Sequence, residues 1–202
     1  MTEKEFIELF DSCKNHYWKL PEDDVVFCLM ETFFYLLKNA KIRDDWEFKS
    51  CAFGRNIVIY AMSRKQSHEY SLGFYQGDIY LESSIFKPET IKYMPSEFWI
   101  VLAELDLNHN FSFQENAVVS DKVSFDTRTG VSSIYKIVRN YILLEEHDPE
   151  STYNLGTLEA HWGRTESPVE ILKSATALLK GLYKLNYLLY RRDYLKRKNS
   201  KT

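Results

Sequence analysis

The sequence predicts an α+β protein: an antiparallel β-meander of four to six strands packed against two N-terminal helices and a long C-terminal helix. Three observations carry this expectation. Both ends of the chain repeat apolar residues at helical spacing. The stretch from Trp46 to about residue 85 breaks instead into short β-branched and aromatic runs separated by turn residues. Gly (7) and Pro (5) are few beside Tyr (14) and Phe (13), which favours long elements over a loop-rich fold.

The first helix opens at "TEKE", where Thr2 can cap and Glu5 stands three residues on, forming a capping box. Phe6, Ile7, Leu9, Phe10 and Cys13 then form one apolar face up to about Tyr17. Pro21 suits a helix start, and Glu22, Asp23 and Asp24 suit the positive end of its dipole. This second helix runs to about Asn39 and is apolar on nearly all sides, which predicts a central place in the core. "EFKSCAF", "NIVIYAM", "YSLGFYQ" and "DIYLESS" read as strands, with a two-residue type II′ turn at Gly77-Asp78. "PSEFWIVLAEL" is read as a helix capped at Ser96, and "FSFQENAVVSDKVSFDTRTG" as one or two strands. "SSIYKIVRNYILLEEH" is read as a helix, and residues 148–167 as a long loop.

The last helix begins at "SPVE", with Ser167 as cap and Pro168 as its first residue. Ile171, Ala175, Leu178, Leu182, Leu185 and Leu189 recur at spacings of four and three. Leu172, Leu179, Tyr183 and Tyr190 widen that seam, which suits packing on a globular core. Lys173, Lys180, Lys184, Arg191 and Lys198 fall within a sector of about 40° on the opposite side. The seam stops near residue 190. The organisation expected is therefore one globular domain over 1–190, with 191–202 as a basic helix end or tail.

Composition sets the functional class. The 202 residues are 45% hydrophobic and 15% aromatic, enough for a buried core. "MTEKEFIELF" lacks the pattern of a signal peptide, and the apolar run "VVFCLMETFFYLL" is too short to span a bilayer. Three cysteines without CxxC spacing fit neither a disulfide framework nor a zinc site. The expectation is a cytoplasmic protein with buried thiols and no membrane association. Net charge is −3, but residues 180–202 carry eight cations against Asp193, a net of +7, which leaves −10 for the rest.

No phosphate-cradling loop and no nucleophile elbow occurs. The histidines (His16, His68, His109, His147 and His161) show no metal-ligand spacing, so no metal and no cofactor is expected. Asp106 three residues before His109, or Glu159 two before His161, could form half of an acid–base pair. Glu47 and Lys49 form an ExK preceded by Asp44 and Asp45, similar to the PD-(D/E)xK nucleases. That family places its Asp on an earlier strand, and nothing before Glu47 reads as a strand.

Two functional classes follow. The first is a non-enzymatic, cytosolic protein-binding module: an inhibitor, immunity or antitoxin-like factor, or an assembly subunit. It would use acidic and aromatic surface against a basic partner, with charges steering encounter and aromatics anchoring it. The residues expected there are Asp44, Asp45, Glu145, Glu146, Asp148 and Glu150, with Trp162 as an exposed anchor. The second is a nucleic-acid-associated protein, binding through Lys173, Lys180, Lys184, Arg191, Arg192, Lys196, Arg197 and Lys198. An enzyme is the third reading, since no convergent chemistry is visible.

Overall fold

The computed structural model describes residues 1–54, 56–85, 88–108, 110–115, 132–147 and 155–199. The helices are α1 (Glu3–His16), α2 (Glu22–Ala40), α3 (Ser96–Asp106), α4 (Ser133–His147) and α5 (Pro168–Asn199). The strands are β1 (Trp46–Phe53), β2 (Asn56–Ser63), β3 (His68–Tyr75), β4 (Asp78–Ser84), β5 (Phe111–Glu115) and β6 (Gly156–Trp162). Short 3₁₀ turns cover Tyr17–Lys19 and Pro88–Tyr93. The strands form one antiparallel sheet in the order β1-β2-β3-β4-β6-β5. The α+β class, the two N-terminal helices and the long C-terminal helix are as the sequence predicts.

The chain divides into two compact units, residues 1–82 with 160–180 and residues 83–159 with 181–202. In the first unit, the Thr2–Glu5 capping box starts α1 as expected. Leu29, Phe33 and Leu36 of α2, and Phe10 and Cys13 of α1, are buried, as are Ile59, Leu72, Phe74 and Leu81 from the strands. Phe33 meets Trp46 and Phe48 edge to face, with centroids 5.2 and 5.8 Å away. The helix α2 is less enclosed than its composition predicts, because Phe27 and Phe34 remain exposed.

The β1–β4 meander is continuous, with Trp46 opposite Ser63, Ile59 opposite Leu72 and Phe74 opposite Ile79. Tyr75 pairs with Asp78, so the β3–β4 turn residues are Gln76 and Gly77, one residue earlier than expected. Both have positive φ, 50° and 101°. That is the type I′ pattern, whose twist matches the flanking strands.

In the second unit, α4 packs on β5 and α3. Phe98, Leu102, Phe113, Ile137, Leu158, Leu182 and Leu185 are buried there. The helix α3 has Pro95 rather than Ser96 at its cap. Ile85 and Leu155 extend the β-pairing: Ile85 N donates to Gly156 O (2.8 Å) and Leu155 N to Ile85 O (2.9 Å). The expected long loop over 148–167 is therefore corrected. Leu158, Ala160 and Trp162 alternate with Thr157, Glu159 and His161, and the first set is buried. This is the period-two pattern of a half-buried strand. Of the strands expected after Phe111, β5 is observed, and residues 116–131 lie outside the described residues.

Candidate functional site: the outer sheet face of the first unit

Strand periodicity builds this surface. The strands β2 and β4 alternate strictly between part-exposed and buried side chains. On these strands one side carries the core and the other is part-exposed, whereas on β3 the outer-side Ser71 and Gly73 are buried as well. The register decides which residues share the outer face. Glu47 lies opposite Met62, and Met62 opposite Glu69. One row along, Lys49, Tyr60, Ser71 and Glu82 stand side by side. The next row holds Cys51, Val58, Gly73 and Tyr80. The His161 ring stacks on Tyr80, with centroids 5.7 Å apart and 23° between planes. The face thus gathers three carboxylates, two phenols, an imidazole and, on the edge strand, the Lys49 ammonium.

Gly73 makes room for Tyr80. A Cβ at position 73 would stand 2.9 Å from the Tyr80 hydroxyl and 2.7 Å from the Ile57 carbonyl oxygen. The phenol lies over the bare backbone there, covering a glycine that would otherwise weaken the strand. Burial, and next the Glu82 carboxylate, push the Tyr80 phenol well above its usual range. Burial also raises Tyr60, with Cys51, Glu69 and Glu82 adding negative potential. Both hydroxyls stay protonated at neutral pH, so each can donate to a ligand while the carboxylates accept.

Apart from Glu47, Lys49 and His161, the residues expected from sequence lie elsewhere. Trp162 is 1% exposed, so its expected role as an exposed anchor is corrected: strand alternation turns it into the core. Asp44 is half-buried, accepting from the Ser63 hydroxyl and from Lys65 N (3.3 Å), which ties the β2–β3 connection. Asp45 is exposed. Glu145 and Glu146 belong to α4, but their side chains lie outside the described set, as do Asp148 and Glu150 entirely. Glu47 and Lys49 sit on the outer face as ordinary strand alternation.

Lys173, Lys180, Lys184, Arg191, Arg192 and Lys198 of α5 are exposed, while the side chains of Lys196 and Arg197 are outside the described set. Lys184 pairs with Glu97 at 2.9 Å, and the Arg192 guanidinium lies 5.1 Å above the Tyr93 ring. Two members of the basic set are thus engaged locally. His109 lies outside the described residues; His68 is buried against Tyr70.

Sequence reasoning missed Tyr60, Glu69, Tyr80 and Glu82 as a group. The signal was the alternation within each strand, but the register that sets these residues side by side is fixed by the pairing between strands.

The arrangement offers charge and hydrogen bonding on an open surface rather than an enclosed reaction chamber. Among the described residues, no group of three or more His, Cys, Asp or Glu could hold a metal ion. Nor is any described helix long and apolar enough to cross a membrane. A groove of about 300 Å³ lies beside α1 and α2, lined by Phe6, Phe34, Tyr35, Glu3 and Glu31 among others. Compared with family models, curated proteins and solved structures, the chain matches none.

Proposed function

We propose that this is a non-enzymatic binding protein whose open acidic and aromatic sheet face docks a basic protein partner. An inhibitor, an immunity or antitoxin-like factor, or an assembly subunit would act in this way. The observation that carries the reading is the register that places Glu47, Glu69 and Glu82 beside Tyr60 and Tyr80 on one solvent-facing surface. Carboxylates there would steer a cationic partner, and the phenols would supply rigid contact area with protonated donors. A cytoplasmic setting accords with this reading and belongs to the proposal.

The test is a nuclease-treated capture of partners by tagged protein from cells that express it. Wild type is compared with Glu69→Lys/Glu82→Lys and with Tyr60→Ala. The expected result is a stoichiometric basic protein held by wild type and lost from both variants, with circular dichroism unchanged. Recovery of nucleic acid alone, released by nuclease or salt and insensitive to the face variants, would overturn the reading. It would favour the basic helix instead.

A further inference from the structure

The second unit carries a surface that is the chemical converse of the sheet face. The helix α5 buries its side chains through Leu189 and none of those described beyond it. It nevertheless continues to Asn199, about 15 Å further at 1.5 Å per residue. Tyr187, Tyr190, Arg191, Tyr194 and Lys198 fall within about 100° on that stretch. Tyr187 is 48% exposed and Tyr194 54%. Tyr190 and Tyr194 stack at 6.3 Å. From residue 187 to 198 the sequence carries five cations against Asp193. A solvated helix end only ten residues long gains little from propensity alone, and its exposed tyrosines offer contact area to a further surface.

We infer that the end of α5 in one copy of this chain docks on the acidic sheet face of a second copy, through contact of Tyr190, Arg191 and Tyr194 with Tyr60, Glu69 and Glu82. This rests on the proposal that the face takes a basic partner, and it names that partner as the chain itself. Charge complementarity is the argument for a second copy: residues 187–198 carry five cations against Asp193, a net of +4, and the face sets Glu47, Glu69 and Glu82 against Lys49. Size agrees. The four strands β1–β4 are spaced about 4.8 Å apart, giving a face about 14 Å across, close to the 15 Å of free helix. The two surfaces are unlike. The contact therefore closes when two copies exchange helices and extends as a chain when they do not.

The test uses the full chain in sedimentation equilibrium at low and high salt. Two variants are made, Glu69→Lys/Glu82→Lys on the face and Arg191→Glu/Tyr194→Ala on the helix. Wild type is expected to self-associate and to dissociate as salt rises. Each variant alone should associate at least about tenfold more weakly. Mixing the two should restore a complex, because one variant keeps the helix and the other keeps the face. Should a lysine variant unfold, Glu69→Gln/Glu82→Gln serves in its place with the same expected direction. A wild type that stays monomeric, or a mixture no tighter than either variant alone, would overturn the inference. Failure of the docking reading is separable. If a monomeric wild type still holds a basic protein through the face, only self-association fails. If association needs the helix but ignores both face variants, the sheet face is not the dock.

Discussion

The Lys14 ammonium donates to the main-chain carbonyl of Glu166 at 2.7 Å and to that of Arg164 at 2.8 Å. Lys14 is 3% exposed, and Asp11 lies 3.4 Å from its nitrogen. One cation on α1 thus fastens the turn between β6 and α5. The same turn holds Arg164 over Trp18, 4.8 Å from its ring. Replacing Lys14 with Met should remove this charged donor from both carbonyls. A loss of about 2–3 kcal/mol is expected in urea unfolding, since hydrogen bonds from charged donors exceed neutral ones. An unchanged midpoint would show that water replaces the ammonium at no cost.

Tyr80 should make stability fall at alkaline pH. Its phenol is raised above the ordinary value of 10.0 by burial and then by Glu82. Above that value the unfolded chain loses the proton while the folded chain keeps it, so the folded state binds more protons. The contribution is complete below the unfolded pKa and disappears as pH rises through the folded one. Unfolding midpoints taken between about pH 9 and pH 11 should therefore drop, and Tyr80→Phe should flatten the slope. An identical slope in the variant would mean that another group dominates.

Gly73→Ala tests how the outer face is assembled. Its new methyl would press on the Ile57 carbonyl oxygen and the Tyr80 ring. Destabilisation of about 1–3 kcal/mol is expected, as for overpacking elsewhere. Tyr80 must also shift, so partner affinity should fall further than stability explains. Full affinity in a folded Ala variant would remove Tyr80 from the contact.

The three thiols should separate by reactivity. Cys13 and Cys28 are buried and Cys51 is exposed. A hydrogen bond with Cys28, and then burial, raise the Cys13 thiol far above its usual range. A thiol reagent should label one cysteine quickly in the native protein and all three in denaturant. Rapid native labelling of more than one would show that the α1–α2 packing opens readily.

Asn140 is wholly buried in the second unit, and among the described residues neither polar atom of its amide has a hydrogen-bond partner. Asn140→Leu keeps roughly the same shape without the cost of desolvation. A gain of about 1 kcal/mol in unfolding free energy is expected. A loss instead would show that the amide has a partner in solution.

Sequence alone determined what depends on neighbours along the chain. The Thr2–Glu5 box, the start of α5 at Pro168 and the β1–β4 meander follow from residues within a few positions of one another. Hairpin turns belong to this class too, although steric freedom at Gln76 and Gly77 moved one by a residue. Tertiary structure decided what depends on distant pairing. The strand β6 enters between β4 and β5, and that placement turned a segment read as loop into sheet. Alternation then buried Trp162, which had looked like a surface anchor. Within the meander, the register between strands assembled Glu47, Tyr60, Glu69, Tyr80 and Glu82 on one side. Each is an ordinary strand residue by itself. Only hydrogen bonding between strands, a relation with no signature in local spacing, puts them on one face.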